Sequence, residues 1–393
     1  MFLLDFIIWS PDPAIFTIPL SGIGLEDRPI VWYGLLFALG FITGQQIIIW
    51  IFRKEGRNPL DVDRLTTHMV VATVLGARLG HVLFYNPSYY LSHPIEILKI
   101  WEGGLASHGG ALGIFLSLWL YVNYNINVKW LLILPTKISI KKIKREGQSF
   151  LWIVDRLVIV TALTGALIRT GNFMNSEMEG TPTLSDWGVV YARGTEQVLK
   201  YDDSRVEEVF FTKIEDPERT KPGYYPLKAT MVYARGVEVD GAEKQFIASR
   251  MSRALKSYGE VAEHIDFGKR GEPLRYDAYQ KGGQWHIDIF GVGTVRHTAQ
   301  LYEAFYCIII MVILLWVWKN HRDKVPPGFN FALFNIMLWT LRFVDEFFKM
   351  DQEKFEADLP LNMGQWLSIP LVSMGVILMI YIYRKKSKLE ESK

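Results

Sequence analysis

Seven apolar stretches govern what this chain can become. They run over residues 31–52, 67–85, 105–124, 150–170, 299–318, 329–348 and 366–383, each long enough or nearly so to cross about 30 Å of hydrocarbon as a helix. In lipid every backbone polar group must find its partner inside the protein, so helices are the expected form of these segments. Whole-chain averages conceal the pattern. Half of the 393 residues are hydrophobic, the net charge is only +2 because 43 basic residues nearly balance 41 acidic ones, and these charges are concentrated between the stretches.

Lysine and arginine in the short connections set the orientation. With the N-terminus outside, the inner segments carry Arg53, Lys54, Arg57 and Arg64, then Lys129, Lys137, Lys141, Lys142, Lys144 and Arg145. Lys319, Arg322 and Lys324 follow, and the tail adds Arg384, Lys385, Lys386, Lys388 and Lys393. The outer short segments offer Arg28, Lys99 and Lys354, beside acidic Asp351, Glu353, Glu356 and Asp358. The expected topology is therefore N-out, C-in. The run from Lys137 to Arg145 reads as a solvated basic loop attracted to anionic lipid rather than as a nucleic-acid surface, and no nucleic-acid partner is expected.

Met1 to Ile8 lacks the pattern of a signal peptide and is too short to span, so it is expected in the interface. Cys307 is the sole cysteine and sits mid-span. Disulfides within the chain are thereby excluded, and any thiol chemistry must come from a substrate. Between the fourth and fifth spans, residues 181–295 become poor in apolar residues. The runs 206–211, 229–233 and 285–289 read as strands, and 243–258 has the period of an amphipathic helix. Asp240-Gly241 and Lys281-Gly282-Gly283 are turn signals for hairpins. The expected fold is an all-α polytopic membrane protein of about seven transmembrane helices, with a small α+β extracytoplasmic head between spans four and five. Its parts would be residues 1–180, 181–295 and 296–393.

Ionisable residues at membrane depth mark function by default. The fourth span ends in Arg169-Thr170-Gly171-Asn172-Phe173-Met174-Asn175-Ser176-Glu177-Met178-Glu179-Gly180, which crowds an arginine, two carboxamides and two carboxylates together. The third span begins at Trp101-Glu102-Gly103-Gly104-Leu105-Ala106-Ser107-His108-Gly109-Gly110. There the glycines permit close backbone approach, either to a ligand or to another helix. His297, Gln300 and Glu303 recur at three-residue intervals on one helical face. Arg342 and Glu346 are one turn apart, as in an intrahelical ion pair. Arg78, among small residues in the second span, needs an interior partner, and Tyr33 can anchor at the interface.

Together these segments can face one cavity near the outer leaflet. The set resembles the phosphatidylglycerol:prolipoprotein diacylglyceryl transferase family, bacterial inner-membrane enzymes that begin lipoprotein maturation. The resemblance is carried by His108-Gly109-Gly110 after Gly103-Gly104, by Arg169-x-Gly171-Asn172-Phe173-x-Asn175-x-Glu177-x-x-Gly180, by His297-x-x-Gln300-Leu301-Tyr302-Glu303, by Arg342 with Glu346, and by Gly364 to Pro370. Three features depart from the family's pattern. Ile168 stands where glycine is usual, Thr298 and Ala299 replace proline and serine, and the 181–295 region is larger than in compact members.

The resemblance implies transfer of a diacylglyceryl group from phosphatidylglycerol to the lipobox cysteine of a prolipoprotein, giving a thioether and glycerol phosphate. It implies catalytic roles for His108, Arg169, Arg342, Glu177 and Glu303, with His108 the first choice of base and Glu177 or Glu303 the alternatives. Arg169 and Arg342 would bind phosphate oxygens. Tyr33, Asn172, Asn175, Gly180, Gly109, Glu346, His297 and Gln300 would bind substrate, and Glu177, Glu303 and Glu346 would orient the arginines. Neither metal nor cofactor is called for by this scheme. Two other classes also place arginines inside a bundle, a lipid transporter or flippase and a non-catalytic lipid-binding scaffold. The first should have matched broken helices in inverted halves, which are not evident. The second should lack the base.

Overall fold

The computed structural model describes residues 6–24, 26–100, 103–131, 134–143, 145–216, 220–350, 356 and 359–391. Trp101, Glu102, Lys144, Asp351, Glu353, Lys354, Asp358 and Lys393, used above, lie outside them. Along the chain come β1 (Ile7–Trp9), β2 (Ala14–Ile18), β3 (Arg28–Val31), α1 (Trp32–Lys54), α2 (Leu60–Phe84), α3 (Pro87–Ser92) and α4 (Ser107–Asn123). Next are β4 (Tyr124–Leu131), β5 (Leu134–Lys142), α5 (Phe150–Met174), β6 (Val189–Tyr191), α6 (Arg193–Asp202), β7 (Val206–Lys213) and β8 (Tyr224–Tyr233). The rest are α7 (Gly241–Phe246), α8 (Ser252–Ser257), α9 (Gly259–Ala262), β9 (Ile265–Asp266), β10 (Tyr276–Lys281), β11 (Gln284–Thr294), α10 (Ala299–His321), α11 (Phe329–Asp345) and α12 (Met363–Glu391).

Among the described residues five helices, α1, α2, α5, α10 and α12, are long and apolar enough to cross a membrane. The expected third and sixth spans are also helical, but α4 and α11 have 17 residues each, about 26 Å at 1.5 Å per residue. The expectation of an all-α framework is corrected by strands outside the 181–295 region. Residues 137–142, in the run read as a basic loop, belong to β5, which pairs with β4 as an antiparallel hairpin, because Ile126, Val128, Ile138 and Ile140 alternate with polar residues at the period of a strand. β2 and β3 form a second hairpin. Of Met1 to Ile8, expected in the interface, residues 1–5 lie outside the described residues, and Ile7 and Ile8 belong to β1, which pairs in parallel with Val189–Tyr191.

The chain divides into two compact units. The first comprises Met1–Leu36, Ile168–Phe305 and Leu341–Leu367, the second Phe37–Leu167, Tyr306–Thr340 and Ser368–Lys393. In the first, an antiparallel sheet runs β10-β11-β8-β7, with β9 beside β11. One face of it packs on α6 to α9 through Leu227, Met231, Ile287, Ile289, Leu255 and Met251, all fully buried. The strands expected at 206–211, 229–233 and 285–289 are β7, β8 and β11. Gly282 and Gly283, at φ +62° and +78°, turn β10 into β11 as a two-residue hairpin requires. Gly241 makes no hairpin, since it opens α7. The helix expected over 243–258 is present, with a π-helical turn at Ile247–Met251 between α7 and α8.

In the second unit α2 and α4 touch backbone to backbone. A β-carbon on Gly109 would lie 2.4 Å from the Gly76 carbonyl oxygen, so only glycine permits this approach.

Candidate active site

The chain after Arg169 is bent back on itself. α5 ends at Met174, and Ser176 and Met178 then take left-handed backbone angles, φ +53° and +58°, each costing about 1–3 kcal/mol for a residue with a side chain. Hydrogen bonds hold the loop there. The Glu177 N–H donates to the Asn172 carbonyl at 2.9 Å. Asn172 Nδ2 donates to Glu177 Oε2 at 2.9 Å and Asn175 Nδ2 to Oε1 at 3.1 Å. Gln300 Nε2 donates to the Glu177 carbonyl at 2.6 Å, and Tyr191 Oη to Gln300 Oε1 at 3.1 Å. Glu177, expected to orient the arginines, clasps the two carboxamides, and Asn172 Oδ1 in turn accepts from Arg169 Nη1 at 3.1 Å. Asn175 Oδ1 and Ser176 Oγ are buried with no hydrogen-bond partner among the described residues, and buried polar atoms in that state ask for a ligand. Tyr33 lies against the same segment, its Cα 2.9 Å from where a β-carbon on Gly171 would be.

Beside the loop is a compact cluster of charge. Arg169 Nε donates to Glu303 Oε2 at 2.8 Å, and Arg342 Nη1 lies 3.3 Å from Glu303 Oε1. Lys349 Nζ reaches Glu303 Oε2 at 3.1 Å, Asp345 Oδ2 at 3.1 Å and Glu346 Oε1 at 3.2 Å. Arg342 Nη2 is 3.6 Å from Glu346 Oε1, the one-turn contact expected from the sequence. Three cations thus face three carboxylates, which is how charges persist away from water. Arg342 is the most exposed of the three cations, its side chain at 22% against 15% for Arg169 and 2% for Lys349. Lys349 and Asp345 were not anticipated. Their signal is the spacing Asp345-Glu346-x-x-Lys349, which places both carboxylates within one turn of the lysine.

The expected face of His297, Gln300 and Glu303 is corrected. His297 precedes α10, so the three residues diverge to different partners. Its Nδ1 lies 3.0 Å from Tyr302 Oη, with the Trp187 and Phe348 rings at 5.7 and 5.1 Å, and burial pushes its imidazole pKa down. Gly180 is explained by packing, because a β-carbon there would meet the His297 and Phe348 carbonyl oxygens at 2.5 and 2.7 Å. Arg296, itself buried, fastens this strand by donating to the Gly180 carbonyl at 3.1 Å and the Glu263 carbonyl at 2.7 Å. Glu179 bonds His264 Nε2.

His108 and Gly109 belong to the second unit. His108 is exposed in the first turn of α4, its ring 5.1 Å from Phe84 and 6.1 Å from Tyr85, and it makes no hydrogen bond among the described residues. Gly109 serves the helix contact with Gly76 described above. Arg78 finds its interior partners in backbone carbonyls, with Nε 3.0 Å from Ile97 O and Nη1 2.8 Å from Gly103 O. Among the described residues no group of three His, Cys, Asp or Glu side chains is arranged to hold a metal ion.

A family model described as prolipoprotein diacylglyceryl transferase matches residues 23–381. Among curated relatives, a phosphatidylglycerol–prolipoprotein diacylglyceryl transferase of Tolumonas auensis is 33% identical over 382 residues, 97% of this chain and 100% of the relative. One of Porphyromonas gingivalis with the same description is 30% identical over 97% of this chain and 96% of its own length. A third, of Chloroherpeton thalassium, is 29% identical over 99% and 98%.

Proposed function

The chain belongs to the prolipoprotein diacylglyceryl transferase family, and from that premise we infer that it moves the diacylglyceryl group of phosphatidylglycerol onto the cysteine thiol of prolipoproteins, the first step of their maturation. The observation that carries the site assignment is the convergence of Arg169 and Arg342 on Glu303, beside the unpartnered Asn175 Oδ1 and Ser176 Oγ. A phosphodiester has the oxygens that guanidinium groups bind in pairs, and a glycerol headgroup has hydroxyls to donate to the orphaned acceptors.

In the proposed reaction the thiol proton passes to a base, and the sulfur attacks the diacylglyceryl carbon that bears the phosphate ester. That carbon–oxygen bond breaks, and glycerol phosphate leaves with the electron pair. Arg169 and Arg342 stabilise the charge that accumulates on the leaving phosphate. Of the three candidate bases, His108 best meets the need for an open lone pair. The oxygens of Glu303 are engaged by three cations and those of Glu177 by two carboxamides. Tyr33 and Asn172 shape the headgroup side, and Glu303 and Glu346 keep the arginines apart.

The finer placement follows the same reading. Seven spans, with α4 and α11 accommodated by local thinning of the bilayer, set the N-terminus outside and the basic tail inside. The site then faces the outer leaflet of a bacterial cytoplasmic membrane, and residues 181–295 form a head beyond it. Purified protein incubated with phosphatidylglycerol and a lipobox peptide tests the function. A thioether-linked diacylglyceryl peptide, read by mass spectrometry, is the expected product, and its absence refutes the assignment.

A further inference from the structure

A polar cavity of about 420 Å³ lies wholly within the second unit, at the C-terminal ends of α1 and α10 and the N-terminal ends of α5 and α11. Its lining includes four cations, Lys54, Arg57, Arg156 and Arg322, and three carboxylates, Glu55, Asp155 and Asp323. Which of these charges are already neutralised decides what the cavity can hold.

The buried carboxylates are spoken for. Glu55 accepts from Arg156 Nη2 at 2.9 and 3.0 Å and from Nε at 3.1 Å, and also from Trp318 Nε1. Asp155 caps α11, accepting from the Gly328 and Phe331 N–H groups at 2.7 and 2.9 Å. Asp323 is 92% exposed and lies 3.9 Å from Arg322, a contact worth little in water. The surplus is therefore positive. Lys54 makes no hydrogen bond or ion pair among the described residues. Among the described residues Arg57 donates only to the Glu146 carbonyl, at 3.2 Å, and its Nε is buried without a partner. Arg57 stacks over Trp152 at 5.5 Å and Arg322 over Trp318 at 5.2 Å, so the uncompensated cations stand on two tryptophans of the kind that settle at the level of lipid headgroups. Asn330 Oδ1, on the same wall, is buried with no donor among the described residues.

We propose that this cavity binds a phosphate-bearing anion with a neighbouring hydroxyl, of which the headgroup of an anionic phospholipid is the natural source. Lys54, Arg57 and Arg322 meet the phosphate oxygens, and the hydroxyl donates to Asn330 Oδ1. The volume is in the range of small-ligand sites. None of these residues belongs to the transferase cluster, so the site goes beyond the reaction proposed above.

The test uses full-length protein in a neutral detergent, titrated separately with dihexanoyl phosphatidylglycerol, dihexanoyl phosphatidylcholine and inorganic phosphate, with thermal unfolding as the readout. Wild type is compared with Arg57→Gln/Arg322→Gln and with Arg57→Lys/Arg322→Lys. Any contribution from the transferase cluster is common to all three proteins, so the difference between them isolates the cavity whether or not transfer occurs. At about fivefold per surface cation, the glutamine pair should weaken the apparent affinity for phosphatidylglycerol about 30-fold, the lysine pair should restore most of it, and phosphatidylcholine should give no difference. Stabilisation by inorganic phosphate that is equally lost in the glutamine pair supports the anion site and identifies a soluble phosphate as its source. Equal phosphatidylglycerol and phosphate responses in wild type and the glutamine pair overturn the proposal. Should the glutamine pair fail to fold, Lys54→Gln, at an exposed position, carries the same comparison with an expected fivefold loss, and an unchanged affinity there is equally decisive against it.

Discussion

Lys349 Nζ and Glu303 Oε2 lie 3.1 Å apart with both side chains withdrawn from solvent, so the turn after α11 is pinned to the start of α10 by a buried ion pair. Replacing Lys349 with methionine keeps much of its volume but leaves three carboxylates facing two arginines. Breaking a buried pair in this way typically costs about 3–5 kcal/mol. Thermal unfolding in detergent should show a large drop in midpoint for Lys349→Met, together with reduced lipidation. A midpoint equal to that of wild type would show the lysine to be dispensable to the cluster.

Arg169→Ala and Arg342→Ala should each lower turnover about 10²–10³-fold, the usual effect of removing one donor aimed at developing charge. Lysine should rescue poorly at either position, because a point charge does not reproduce the planar fork. Single-turnover lipidation of a lipobox peptide measures both, and parental rates in the alanine variants would remove the arginines from the mechanism.

For His108→Gln the expectation is a split between parameters. A base acts on the thiol, so turnover should fall about 10²–10⁴-fold while phospholipid affinity changes little. The deficit should narrow as pH approaches about 8.5, where a peptide thiol ionises unaided. Equal losses of affinity and rate would make His108 a headgroup or structural residue.

Cys307→Ala should retain nearly full activity, since the substrate thiol attacks the lipid directly. The residue is 2% exposed, with its Sγ 3.4 Å from the position of a β-carbon on Gly165, as a packing residue would be. An inactive alanine variant, with a diacylglyceryl adduct on Cys307 of the wild type after exposure to phosphatidylglycerol alone, would require a two-step covalent route.

Stability should depend on pH through His297. Its folded pKa is depressed by burial below the ordinary 6.5, so the unfolded chain binds more protons in the region between the two values. Stability therefore rises with pH through that region and levels off above about 6.5. The His297→Gln variant should lose this slope in unfolding midpoints taken from pH 5 to 8. An identical slope in the variant would assign the titration to another group.

Much of the fold was legible because lipid imposes long apolar periods, and because strands such as 206–211 and the Gly282-Gly283 turn are encoded locally. The arginines were legible for the same reason, since charge beside apolar runs stands out. What escaped notice depends on distance or on shared context. Ile7–Trp9 pairs with a strand about 180 residues away, which no local pattern reveals. The β4–β5 hairpin was hidden by its lysines, which outweighed the alternation of isoleucine and valine. Lys349 was missed because Arg342 and Glu346 were read as a pair, when three residues further on the chain supplies the cation that completes the cluster. Charge alone suggests Glu177 as a direct partner for arginine, whereas in the structure Asn172 stands between Glu177 and Arg169.

The meeting of Gly76 with Gly109 has a mechanical consequence. No side chain lies between the two helices there to act as a bearing, so α4 cannot slide or rotate against α2 without collision between main chains. His108, one residue from that contact, is mounted on a two-helix strut rather than on a single rod. Any rigid movement of α4 that shifts His108 must carry α2 with it, including Arg78 and the carbonyls of Gly103 and Gly104 that Arg78 grips.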